Sequence, residues 1–379
     1  MRRVPGAVAV NTLKKTALIL PENVNCLVVL GPTAVGKTAL AVRLAEHFGG
    51  EILSCDSRQV YRGLDIGSGK DLCEYTVPYH LIDITDLSKE YSVFDYQKDF
   101  YRAFADVISR GKLPVIAGGT GLYIDSVVRS YHMQCVPENT ELRKRLAYLS
   151  DEKLIVLLRD LKRFAGSDLH NSTDITQRKR LIRAIEIETY NAEFANTKTQ
   201  TNCVGNTEAE KQSGGTRALN DTQAPNKSST PEVRPFILGT SFPRDMLRRF
   251  IRRRLKERMQ NGLIEEVENL HRSAPGMADG VSWERFDRLG LEYRFVSQFL
   301  QKGDFSKQAK EELETRLGIA IGQFAKRQET WFRGMEKKGV VIHHLAHDGS
   351  EKDCSVEQRF AYALVLLEKA AQEHSGRLQ

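Results

Sequence analysis

Eight consecutive residues, Gly31, Pro32, Thr33, Ala34, Val35, Gly36, Lys37 and Thr38, fit the pattern G-x-x-x-x-G-K-[ST]. Such a loop surrounds a phosphate group with backbone N–H donors at the start of a helix. The Lys37 ammonium neutralises the anion, and the Thr38 hydroxyl is placed to ligate a magnesium ion. Asp56 follows, leading Ser57, Arg58, Gln59, Val60, Tyr61 and Arg62. A carboxylate there either holds a metal or takes a proton as a general base. The bland alternative is a helix N-cap shared with Ser57. Together the two motifs suggest that a phosphate is held still while another atom is attacked.

Gly118, Gly119, Thr120, Gly121, Leu122 and Tyr123 form a third, weaker signal, because glycines at a strand end permit close approach to a ligand. Basic segments add to it. Arg244 to Arg258 holds eight Arg or Lys and two acids, while Leu247, Phe250, Ile251, Leu255 and Met259 keep helical spacing. Arg178, Lys179, Arg180 and Arg183 make a second cluster, and Arg143, Lys144 and Arg145 a third. A single charge run is usually a solvated face. Three of them beside a phosphate loop favour an RNA-sized polyanion.

The elements that must position these residues are legible as periodicity. Cys26 to Leu30 is an apolar run feeding into the loop, and Thr38 to Phe48 has the pattern of an amphipathic helix stopped at Gly49 and Gly50. Further strand-like runs are 51–55, 79–84, 113–117, 235–238 and 339–343, separated by helical stretches such as 93–110. The expected fold is therefore α/β, a P-loop NTPase-like parallel sheet flanked by helices, with a helical insertion domain. Its expected parts are a disordered extension over 1–24, a first core segment 25–136 and the helical insertion 137–195. A disordered polar loop over 196–232, a continued core with the basic helix over 233–345, and a C-terminal helix and tail over 346–379 complete the plan.

With 379 residues, 41% hydrophobic, 28% charged and a net charge of +7, the chain has the composition of a soluble globular protein with a modest lean towards anionic partners. Six scattered cysteines without a C-x-x-C argue against a disulfide framework or zinc site and fit a reducing, cytoplasmic setting. No apolar run approaches the ~20 residues of a membrane span.

Read in order, Gly31–Thr38, Asp56–Arg62 with Asp65–Gly67, His80–Asp83, Tyr91–Val93, Gly118–Tyr123, Arg183–Glu186, Gly262–Val267 and Ala325–Arg333 resemble the signature of the tRNA dimethylallyltransferases, in their bacterial form. The likeness covers roughly residues 25–335 apart from the polar loop. It implies transfer of the allyl group of dimethylallyl diphosphate to N6 of the adenosine just 3′ of a tRNA anticodon, with release of diphosphate and Mg2+ as cofactor. The implied partners are dimethylallyl diphosphate and the tRNA anticodon stem-loop, with the enzyme acting as a monomer. Asp56 corresponds to the base, Lys37, Thr38 and Arg244 to the groups on the diphosphate, and Thr120 to a contact with the flipped-out base. Ser57, Arg58 and Gln59, with Arg143 and the run Lys179, Arg180, Leu181, Ile182 and Arg183, correspond to tRNA-contacting positions.

The chain also departs from that pattern. Phe250 stands where a second arginine is frequent, Gly290–Arg294 replaces a Gly-Tyr-Lys/Arg-Glu stretch, and no C-terminal Cys/His finger follows. Three other readings compete. An isopentenyltransferase acting on free adenine nucleotide would share the loop and Asp56 but not the basic helix. A nucleotide kinase would put ATP in the loop and need lid arginines. A non-catalytic RNA-binding relative would not need Asp56 and Lys37.

Overall fold

Leu27 and Val29 turn to one side of the first strand, and Val28 and Leu30 to the other, and all four are fully or almost fully buried. A strand covered on both faces needs such a continuous apolar run. The computed structural model describes residues 20–131, 133, 136–164, 177–201, 231–345 and 355–375. The expectations for 1–19 and 202–230 lie outside them. The chain divides into two compact units, Met1–His132 with Lys227–Gln379, and Met133–Asn226.

The first unit runs β1 (Cys26–Leu30), α1 (Lys37–Phe48), β2 (Gly50–Cys55), β3 (Tyr79–His80), α2 (Val93–Ser109), β4 (Leu113–Gly118) and α3 (Gly121–Val128). The second unit holds α4 (Thr140–Ala147), α5 (Asp151–Phe164) and α6 (Arg178–Thr201). The first then resumes with β5 (Pro235–Gly239), α7 (Arg244–Gln260), α8 (Leu263–Arg272), α9 (Trp283–Leu289), α10 (Leu291–Lys302), α11 (Lys307–Lys337), β6 (His343–His344) and α12 (Val356–Ser375).

Six strands pair in the order β3-β2-β4-β1-β5-β6, all parallel. The expected sheet is present, and its register matters for the site. Leu30 pairs with Gly118, and Gly118 with Cys55. The carboxyl ends of β1, β2 and β4 therefore stop level with one another, where ligands of parallel sheets bind. The loop after β1, Asp56 after β2 and Thr120 after β4 all leave from that edge. Helices α1 and α12 cover one face through Leu40, Leu44 and Leu367. Phe100 and Phe104 of α2, Ile124 of α3 and Phe332 of α11 cover the other. A further cluster joins α7, α8, α10 and α11 to Val60, Tyr61 and Leu64. Helix α2 starts on Ser92, whose hydroxyl accepts from the Asp95 amide while the Asp95 carboxylate accepts from the Ser92 amide. That reciprocal cap fixes where the helix begins.

Four boundaries differ from expectation. β3 ends at His80 rather than Ile84, because Leu81 and Asp83 take positive φ of 67° and 56° and Asp83 turns to the buried Lys70. β6 is two residues, His343–His344. Helix α6 runs on to Thr201 through the polar segment, which holds no glycine or proline before Gly205. Leu20 and Val24 pack against the α1 face, so packed residues lie within the expected 1–24 extension.

Candidate active site

The loop closes onto α1 through Gly36, whose φ of +65° is a left-handed conformation that a side chain disfavours. Gly36 offers no side-chain cap, so the first amides of α1 are left for an anion. The part-buried Lys37 donates its Nζ to the Pro32 carbonyl at 2.7 Å. Burial lowers its pKa to about 7, helped by the charges of Arg254 and Arg359 and opposed by Asp56. The neutral amine is thus within reach near neutrality, and a bound anion would restore the charge. The Thr38 side chain hydrogen-bonds the Tyr75 hydroxyl, whose pKa burial pushes above its usual range.

Asp56 stands directly after β2. Its Oδ1 accepts from the amides of Arg58 at 2.9 Å and Gln59 at 3.4 Å in a cap-like turn. No hydrogen bond to Oδ2 occurs among the described residues. One oxygen therefore fixes the carboxylate and the other is available for a proton. Thr120 braces the same turn: its Oγ1 accepts from the Ser57 amide at 3.0 Å, and its amide donates to the Cys55 carbonyl at 3.2 Å. Gln328 of α11 ties the third corner. Its Oε1 accepts from the Thr33 amide at 2.9 Å and its Nε2 donates to the Gly119 carbonyl at 2.8 Å. A Cβ at position 119 would lie 2.4 Å from that Nε2, so a side chain there would displace the Gln328 amide.

These parts surround a cleft of about 300 Å³. Six cationic side chains line it, Lys37, Arg58, Arg254, Arg258, Arg285 and Arg288, against three carboxylates, Asp56, Glu90 and Glu292. The excess of positive charge suits a polyanionic ligand. Glu292, almost fully buried, accepts from Arg58 at 2.8 Å and from Arg258 at 3.3 Å, and Arg258 also donates to the Gly67 carbonyl at 3.1 Å. Arg58 further lies over the Phe324 ring, 5.7 Å from its centroid. Arg254 pairs with Asp71 at 3.1 Å.

Several expected residues sit elsewhere. Arg244 is the exposed first residue of α7 and does not line the cleft. Arg254 and Arg258, further along the same helix, do so instead. Gln59 lines the cleft but is buried and spent on Ser54 and the Gly69 carbonyl. In the helical unit, Leu181 is fully buried with Leu142, Leu146, Leu154, Leu158 and Ile185, and Ile182 packs against them. Their side chains hold the unit together rather than face a partner. Arg143 and Arg183 both bond Glu186, and Arg183 also the Val136 carbonyl. Lys179 and Arg180 stay exposed. Phe250 packs edge-on against Phe242 under Arg253. Gln328, Glu292, Arg254, Arg258 and Arg285 were not singled out from sequence. Arg254 and Arg258 are visible as members of the basic run, and Glu292 only as part of the divergent stretch Gly290–Arg294.

Among the described residues no three His, Cys, Asp or Glu side chains converge on a metal position. The donor chemistry suits a hard cation held mainly by ligand phosphates and water, with the Thr38 hydroxyl as its protein oxygen. Nor is any described helix long and apolar enough to cross a membrane.

Comparison with known proteins agrees with this geometry. The sequence profile of the IPP transferases matches residues 59–335. The tRNA dimethylallyltransferase 2 of Treponema denticola is 47% identical over 330 residues, 86% of this chain and 97% of that one. The tRNA dimethylallyltransferase 1 of Geotalea uraniireducens is 45% identical over 326 residues, 86% of this chain and 93% of that one. The crystal structure of the tRNA isopentenylpyrophosphate transferase of Bacillus halodurans superposes with a TM-score of 0.57 at 27% identity, covering 93% of this chain and 98% of that one.

Proposed function

The chain belongs to the IPP transferase family, and on that premise we propose how its cleft performs tRNA prenyl transfer. It is a transferase that moves the dimethylallyl group of dimethylallyl diphosphate to tRNA. The acceptor is N6 of the adenosine beside the anticodon, and diphosphate leaves. The allylic C–O bond breaks with its electron pair going to the diphosphate. The C–N bond forms from N6, and the displaced N–H proton passes to Asp56. The loop amides, Lys37, Arg254 and Arg258 stabilise charge developing on the leaving group, so phosphate binding here supports departure rather than phosphoryl transfer. Thr38 would hold Mg2+, which when bound supplies further charge neutralisation on the diphosphate.

The single observation carrying this reading is the level ending of β1, β2 and β4, which sets a phosphate loop beside a carboxylate with one unengaged oxygen. A base must leave the anticodon-loop stack to meet that carboxylate, and the cationic rim suits the RNA backbone. Free thiols at Cys26, Cys55 and Cys73 support a reducing cytoplasm as its setting. The test is incubation with Mg2+, dimethylallyl diphosphate and tRNA beside free AMP, followed by nuclease digestion and mass analysis of the nucleosides. Dimethylallyl-adenosine from tRNA is expected. Prenylated AMP with unmodified tRNA would refute the assignment to tRNA.

A further inference from the structure

Arg359 is only 4% exposed, yet it lies on α12, more than 300 residues along the chain from the phosphate loop. Its Nη1 donates to the Val35 carbonyl at 2.5 Å and reaches the Gly36 carbonyl at 3.4 Å. The guanidinium lies over the Phe242 ring, 5.6 Å from the centroid, and a Cβ on Gly36 would sit 3.0 Å from Nη2. Ala363 and Leu367, both fully buried, fix α12 in the core cluster that also contains Leu40 and Leu44 of α1. The guanidinium is therefore delivered by a helix packed on the loop's own helix.

In a trans peptide the carbonyl and the next residue's N–H point in opposite directions. Holding the Val35 and Gly36 carbonyls on Arg359 turns the N–H groups of Gly36 and Lys37 away from the guanidinium. Those are the amides that an anion at the start of α1 uses. The strength of a charge-assisted hydrogen bond suits this task better than a neutral one. Gln328 holds the opposite end of the loop through the Thr33 amide, so the loop is braced from both sides.

We propose that Arg359 is a positioning residue for the diphosphate: from α12 it holds two loop carbonyls so that the following amides are preset for the anion, and it sets a fixed positive charge behind them. This rests on the reading that the loop binds diphosphate. Arg359 also contributes to the lowered pKa of Lys37.

The experiment measures inorganic diphosphate with Mg2+ by calorimetry, and KM for dimethylallyl diphosphate and for tRNA, in the full chain. Wild type is compared with R359K, R359Q and L367A, the last loosening α12 without touching the guanidinium. R359K and R359Q are expected to weaken diphosphate and raise its KM about tenfold, with KM for tRNA within about twofold. L367A is expected to keep diphosphate affinity at equal folded fraction. Diphosphate binding by R359K within twofold of wild type, or a loss no larger than that of L367A, would overturn the proposal. So would failure of both Arg359 variants to fold, since the role would then be structural. Absence of diphosphate binding in the wild type would instead sink the functional reading itself.

Discussion

Binding of dimethylallyl diphosphate should take up a proton, and the structure sets the size of the effect. Lys37 titrates at about 7 because burial and the charges of Arg254 and Arg359 outweigh Asp56. An anion in the loop reverses that balance and lifts the ammonium back towards its ordinary range. At pH 8 a group of this pKa is about one-tenth protonated, so binding draws in about 0.9 proton. Between pH 7 and 9 its charged fraction falls from about one-half to about one-hundredth. Affinity should then weaken about 50-fold, or about 2 kcal/mol. With a last phosphate pKa of about 6 the diphosphate is already about nine-tenths ionised at pH 7, so it offsets little of the slope. The assay is calorimetric titration of dimethylallyl diphosphate in buffers of different ionisation enthalpy at pH 8, with Kd measured from pH 7 to 9. In K37R, whose guanidinium stays charged, the slope and the uptake should both vanish. A flat Kd and no proton uptake in the wild type would refute this account of the loop.

Three further outcomes are expected. Q328A leaves the Thr33 amide and the Gly119 carbonyl without their side-chain partner and should cost about 3 kcal/mol in urea unfolding while raising KM for the diphosphate. An unchanged midpoint and KM would show that Gln328 does not brace the cleft. E292Q removes the carboxylate between two largely buried guanidiniums and should cost about 3 kcal/mol, part of which returns on adding R258M. A double variant no more stable than E292Q would contradict that pairing. Glu51 is held down to about 2 by hydrogen bonds from Arg110 and His80 against the cost of its burial. Its folded pKa is below its unfolded one, so it stabilises the fold above the unfolded value and loses that contribution as pH falls from about 4.5 through 2. With Arg110 well exposed, the loss should be roughly 2 kcal/mol. Wild type and E51Q should converge in stability across that window, and parallel curves would exclude the mechanism.

Local pattern carried much of the fold. The apolar run Cys26–Leu30, the helix stopped at Gly49 and the polar cap at Ser92 are each settled by neighbours in sequence. Asp56 and Thr120 were legible for the same reason, since both follow strand ends that a parallel sheet gathers at one edge. Contacts of long sequence separation were not. Glu292 meets Arg58 across 234 residues, and Gln328 meets Thr33 across 295. Neither partner carries a pattern that names the other. Arg244 was carried over from the resemblance alone, and only the path of α7 shows that Arg254 and Arg258 reach the cleft. β3 failed for a local reason of another kind. Leu81 reads as a strand residue, but tertiary pairing of Asp83 with Lys70 draws it into positive φ.

The most direct measurement is the single-turnover rate of label transfer from dimethylallyl diphosphate to saturating tRNA, in wild type and in D56N. Asn keeps the turn at position 56 and removes the base. The account predicts a rate at least about 100-fold lower in D56N, with tRNA and diphosphate affinities preserved. Transfer by D56N at the wild-type rate would contradict the assignment of Asp56 as the base.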